Sequence, residues 1–246
     1  MKVLVYNCKI GTGSLWSEVY SKWDKAEISP KEKFYNFEKE VAMPSIERWA
    51  KKNGYEYQNY TKSTTPRTGF FTGENDPIGY IVWEKLMRMY NPEYDYVIYL
   101  DTDIYVHERA GEFPIQKGLS ICPEYDWETE PSHKIHYYDV YNADPHKCHY
   151  LNAGVFAIDR ETAKEYFEWC LERLHKCEVQ NTWIFDQDFA NVWQIANRER
   201  VNYLDNKWNY DLRSIPEGET PSKDKNFYHF VHKTKEKYEQ LFKDIV

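Results

Sequence analysis

YVIYLDTDIYV, Tyr96 to Val106, is an apolar, β-branched and aromatic run that stops at two aspartates, Asp101 and Asp103. Carboxylates at the carboxyl end of a buried strand are costly there unless they are paired, hydrogen-bonded or bound to a metal. In an extended chain, residues two apart point to the same side, so both carboxylates can reach one ion. A divalent cation is the first expectation.

The chain around this run sets wide bounds. Its 246 residues suffice for one α/β domain with a complete core. A formal net charge of −8 argues against nucleic acid as a non-specific partner. Aromatic residues make up 17% of the chain, which suits a Tyr-rich core and also stacking on sugars or bases. The five cysteines, Cys8, Cys122, Cys148, Cys170 and Cys177, include no CxxC pair, so free thiols in a reducing compartment are expected. HKCH, His146 to His149, lacks a second ligand pair at zinc spacing. With no apolar run long enough to span a membrane and no signal-peptide pattern, the expectation is a soluble cytoplasmic protein.

Outward from Tyr96 to Val106, strands and helices alternate, the pattern of a mainly parallel sheet covered on both faces. KVLVYN opens the chain as a strand. SPKE, Ser29 to Glu32, reads as a capping box with proline at the first helical position. That helix runs to IERWAKK, is bent or interrupted at Pro44, and stops at Asn53-Gly54, before the strand YEYQNY. IGYIVWEKLMRMY reads as the helix leading into the DTD strand. Beyond it come the strands LSICPEY, LNAGVFAID, RVNYL and NFYHFVH, with helices over Arg160 to Cys177, around FDQDFANVWQIA, and at KTKEKYEQLFKDI. The long polar segment from Asp126 to Lys147 is a candidate binding loop, and Trp127, Tyr137 and Trp208 are candidate acceptor contacts.

Taken in order, YVIYLDTDIYV, YLNAGVFAIDR, FDQDFANVW, LDNKWNY and FYHFVHKTK resemble the retaining nucleotide-sugar glycosyltransferases of the GT-A fold. The chain is similar to glycosyltransferase family 8, the glycogenin and lipopolysaccharide galactosyltransferase group, and to the related family 34. The resemblance runs from the first strand to about Lys235 and implies a single domain over 1–246. Residues 1–110 would form a Rossmann-like nucleotide-binding half, and 111–246 the half for donor sugar and acceptor. It implies transfer of a hexose or pentose from a nucleoside-diphosphate sugar, a UDP-sugar first, to an acceptor hydroxyl with retention. The acceptor could be a glycan, a protein or a small molecule.

The resemblance also implies roles. Asp101, Asp103 and His229 would hold Mn²⁺ or Mg²⁺, and a nitrogen ligand favours Mn²⁺. Tyr6 and Asn7 would approach the base. Lys85 would reach the donor, and Lys235 would contact the diphosphate. His232 stands where the family has glycine, and is an alternative metal ligand or phosphate donor. Asn152, Ala153 and Gly154 would line the donor-sugar site. Asp186 would bind sugar hydroxyls, Gln187 would face the anomeric carbon with its carbonyl, and Asp188 could assist. Gly11 to Gly13, GTG, lacks the rest of a phosphate loop.

Two other classes fit part of the pattern. LDTDIYV matches the DxDx[TV] signature of haloacid-dehalogenase-type phosphatases, with Asp101 as nucleophile and Asp103 as acid and base. That motif ends the first strand of its domain, whereas 95 residues precede Tyr96, and the later acidic pair is missing. A non-catalytic nucleotide-sugar or glycan-binding module is the third reading, kept open by His232.

Overall fold

Strand β1, Val3–Cys8, is buried at every position, as a strand covered on both faces must be. In the computed structural model it pairs in parallel with β2 (Glu56–Tyr60) on one side and β3 (Tyr96–Leu100) on the other. The structure describes residues 1–8, 37–61, 84–124, 149–180, 185–216, 219–230 and 238–246. The capping box at Ser29, the GTG run, most of the candidate loop from Asp126, and His232, Lys233, Lys235 and Lys237 lie outside them.

Among the described residues the main sheet has six strands in the order β2-β1-β3-β6-β5-β7, where β5 is Leu119–Pro123, β6 Leu151–Asp159 and β7 Val201–Tyr203. Only β6 is antiparallel to its neighbours, so the expectation of a mainly parallel sheet holds with one reversed strand. A smaller sheet carries β4 (Ile104–Val106), β9 (Phe227–His229) and β8 (Tyr210–Asp211), in the order β4-β9-β8.

Side chains alternate across the pleat and build two apolar layers. On one face Tyr6, Val97, Tyr99, Phe156 and Ile158 pack against Leu86 and Met89 of helix α2 (84–89). Tyr166 and Cys170 of α3 (Arg160–Gln180) and Phe189 and Trp193 of α4 (Phe185–Ala196) complete that layer. On the other face Val5, Ile98, Leu100 and Val155 meet Ile46, Trp49 and Ala50 of α1 (Met43–Lys52). Helix α5, Tyr238–Ile245, comes after the last described strand. Helices therefore cover both faces.

Three local expectations are refined. The interruption near Pro44 is a π-helical turn, Glu38–Ala42, that runs directly into α1, where proline near the start of α1 cannot donate into the preceding turn. Gly54 does stop α1, with φ of 71° in the left-handed region. YVIYLDTDIYV is two strands in two sheets, not one strand: Asp101 to Asp103 form a turn in which Ile104 N donates to Asp101 O at 3.2 Å. The carboxylates share a side because the chain turns there, not because of the pleat. Cys8, Cys122 and Cys170 are buried free thiols.

Candidate active site

Two strand ladders assemble the site. Asp101 extends the β3–β6 ladder, its N–H donating to Gly154 O at 2.8 Å, which sets Asn152 to Gly154 beside it. In the small sheet Ile104 pairs with His229, and Phe230 N donates to Asp103 O at 3.1 Å. The backbone thus carries a histidine from the last described strand to two aspartates more than 120 residues earlier.

Asp101, Asp103 and His229 each offer a ligand atom, and these atoms lie within 4.8 Å of one another. His229 Nε2 is 3.3 Å from Asp103 Oδ1 and 3.8 Å from Asp101 Oδ2. Two carboxylates and one imidazole nitrogen are a donor set that fits a divalent first-row ion. On the other side of the imidazole, Nδ1 lies 2.9 Å from Asn209 Oδ1, the outer partner that orients a ligating histidine.

Lys85, on α2, links this group to the start of α4. Its Nζ is 2.7 Å from Asp186 and 3.6 Å from Asp101, and it lies over the Tyr99 ring at 4.2 Å from the centroid. Burial works against the Lys85 charge, but Asp101 and Asp186 outweigh it and hold the ammonium above its ordinary range. Enclosure raises the Asp101 carboxyl, with Lys85 pulling the other way and Asp103 adding to the rise. Tyr99 donates to Asp101 Oδ1 at 2.5 Å. A site that disfavours the ionised Asp101 is one where a further cation is stabilising.

Gln187 is fully engaged by the protein. Its Oε1 accepts from Ala153 N at 3.2 Å, and its Nε2 donates to Tyr150 OH at 2.8 Å and Glu124 Oε2 at 3.1 Å. Glu124 follows β5 directly and takes Arg213 at 2.7 Å; Arg213 also grips Asp211. Burial pushes the Glu124 carboxyl up, against the pull of Arg213. Asp188 is enclosed at 1% exposure, and two positions along a helix from Asp186 it belongs to a different face.

Other expected residues sit elsewhere. Tyr6 is fully buried, its OH donating to Lys85 O at 2.7 Å and its ring edge-on to Tyr99, so in this structure it offers no open face for stacking. Asn7 donates to Tyr57 OH at 3.0 Å, and its enclosed Oδ1 has no hydrogen-bond partner among the described residues. Trp208 is not an open acceptor contact: it is 6% exposed and packs edge-on to Phe113 and Phe227. His149, the described end of HKCH, lies edge-on to Tyr203. Asn209, Glu124 and Tyr99 were not expected at the site. LDNKWNY held the signal for Asn209, but a lone amide in a motif says nothing of its partner.

The phosphatase alternative places the DxD on the first strand of its domain, whereas here it follows β3, between β1 and the antiparallel β6. No protein-family model matches the chain, and no curated protein matches it in sequence. Solved structures do match over nearly the whole length. A glycosyltransferase involved in the glycosylation of the major capsid of PBCV-1 shares 13% identity over 99% of both chains, with a TM-score of 0.51. The galactosyltransferase LgtC in complex with donor and acceptor sugar analogues shares 14% identity over 98% of this chain and 95% of its own, with a TM-score of 0.54. An active-site mutant of LgtC covers the same shares with a TM-score of 0.56. The chain has the GT-A fold of these glycosyltransferases, with Asp101, Asp103 and His229 gathered where β3 ends.

Proposed function

We propose that this protein is a metal-dependent glycosyltransferase that moves a hexose or pentose from a nucleoside-diphosphate sugar, first a UDP-sugar, to an acceptor hydroxyl with retention. The observation that carries the reading is the convergence of Asp101, Asp103 and His229 at the strand end of a GT-A fold. The carboxyl ends of strands are where ligands of open α/β sheets bind. LgtC, solved with donor and acceptor sugar analogues, is the kind of protein this arrangement resembles.

Asp101, Asp103 and His229 would hold Mn²⁺, with Mg²⁺ as the alternative. Bound there, the ion supplies Lewis-acid stabilisation of a departing diphosphate. Lys85 sits between Asp101 and Asp186 and offsets part of their negative charge in a largely enclosed setting. Asp186, held by Lys85 through Oδ2, is the residue offered to sugar hydroxyls. Gln187 is clamped through both ends of its amide, which fixes a polar wall beside Ala153. A group held in place before reaction costs no reorganisation during it. Asn7, whose buried Oδ1 has no described partner, is the residue offered to the base; Lys235 is the residue offered to the diphosphate.

A thermal-shift screen of UDP-, GDP- and CDP-sugars with and without Mn²⁺ tests the donor. Stabilisation by one nucleotide sugar only in the presence of Mn²⁺ is expected. Binding without donor hydrolysis or transfer would make the chain a non-catalytic nucleotide-sugar-binding module, and release of phosphate from p-nitrophenyl phosphate without UDP binding would restore the phosphatase reading. NMR of the first-formed product decides the anomeric outcome; inversion would overturn the retaining assignment.

A further inference from the structure

We infer that Asn209 is a positioning residue that sets the tautomer of His229, at the end of a relay that begins on a backbone amide. The inference rests on the reading of Asp101, Asp103 and His229 as a metal site. Each polarity along the relay follows from the one before. Gly154 N–H can only donate, and it lies 2.9 Å from Asn152 Oδ1, so that atom is the carbonyl oxygen of its amide. Glu124 is a side-chain hydrogen-bond partner of the same Asn152, which agrees with its NH₂ group turned toward the carboxylate. The Asn209 atom 2.9 Å from Asn152 Oδ1 must therefore be the donating nitrogen.

That choice leaves Asn209 Oδ1 against His229 Nδ1 at 2.9 Å. A carbonyl oxygen only accepts, so Nδ1 carries the proton. A neutral imidazole has one N–H, and its other nitrogen presents a lone pair. Here that nitrogen is Nε2, aimed at Asp103 Oδ1 and Asp101 Oδ2 at 3.3 and 3.8 Å. A divalent cation held among these three atoms would take the Nε2 lone pair, while Nδ1–H stays with Asn209. Asn152, Asn209 and His229 are 7%, 4% and 4% exposed, so a link broken in the relay leaves a desolvated polar atom. Gly154 also admits the ring: a Cβ there would meet His229 Cε1 at 2.4 Å.

The relay gives Asn209 and Asn152 a task on this chain distinct from touching sugar. It is tested on the full chain with Mn²⁺ as the probe, by electron paramagnetic resonance of the free ion, and by long-range ¹H–¹⁵N NMR of the neutral His229 ring without metal. Asn209→Leu and Asn209→Asp are close in volume and both lose the donor to Asn152, but only Asp keeps an acceptor for Nδ1–H. Expected are an Nδ1–H tautomer in the wild type and in Asn209→Asp, and Mn²⁺ affinity in Asn209→Asp within about threefold of wild type. Asn209→Leu should weaken Mn²⁺ about 10- to 100-fold and admit the Nε2–H tautomer. A merely structural role would lower the melting temperatures of both variants and leave the affinity of both folded proteins alike. Equal affinity and unchanged tautomer in folded Asn209→Leu would overturn the inference while leaving the metal site standing. A wild type that binds no Mn²⁺ would overturn the metal reading itself, and the positioning role with it.

Discussion

Asp101 is touched by three side chains of different chemistry: the Tyr99 hydroxyl, the Lys85 ammonium and the His229 imidazole. Its side chain is still 32% exposed, so it can meet a ligand from the open side. Asp101→Asn or Asp103→Asn should abolish Mn²⁺-dependent UDP-sugar binding in a calorimetric titration while circular dichroism shows the fold retained. Wild-type affinity in either variant would show that the pair is decorative. Gly154 tests the same site from the backbone. Gly154→Ala drives a methyl group into the His229 ring, so it should cost about 1–3 kcal/mol in urea denaturation and weaken the metal together with it. Unaltered Mn²⁺ affinity in that variant would mean the ring has another place to go.

Among the elements, β6 does the most positioning. Among the described residues it is the one reversed strand of the main sheet, buried along all nine residues, and it carries Asn152 to Gly154 at its start and Asp159 at its end. Asp159 caps α3: its Oδ1 accepts from Glu161 N at 3.1 Å and Thr162 N at 3.2 Å, while Oδ2 accepts from Gly118 N at 2.6 Å. Burial alone would raise this carboxyl, but the hydrogen bonds from Thr162, Gly118 and Glu161 win and hold it below its ordinary 3.8. A carboxyl depressed in the folded state stabilises the fold above its unfolded pKa and loses that contribution as pH falls through the folded value. Asn puts an NH₂ group where one carboxylate oxygen accepted, so wild type should lose stability relative to Asp159→Asn below about pH 4, and exceed it at neutral pH by about 1–3 kcal/mol. Matched urea midpoints at both pH values would show that the cap carries no charge-dependent stability. On the opposite layer, Ser45 Oγ of α1 accepts from Val106 N at 2.8 Å, tying β4 and so the Asp103 turn to the helix.

At the scale of the whole molecule, the site draws on α2, β3, the turn before β4, β6, α4 and β9, so a ligand that bridges them stabilises the native state as a unit. At 100 times its Kd, a bound donor should raise unfolding free energy by about 2.7 kcal/mol, and EDTA should remove that gain if the ion is part of the complex. Persistence of the gain in EDTA would separate donor binding from the metal. Among the described residues no helix is long and apolar enough to cross a membrane. Much of this architecture was readable along the chain, because a strand buried on both faces is a continuous apolar run and a helix stop such as Asn53-Gly54 is a local backbone requirement. The two aspartates were readable for the same reason, since charge at the end of such a run demands a partner. What tertiary structure alone decided is which partners meet: that β6 is reversed, that the aspartates sit in a turn between two sheets, that Tyr6 and Trp208 face the core, and that Asn209 holds His229. Those facts depend on strand register across more than a hundred residues of intervening chain. Local propensity carries no record of register; the packing of both apolar layers sets it.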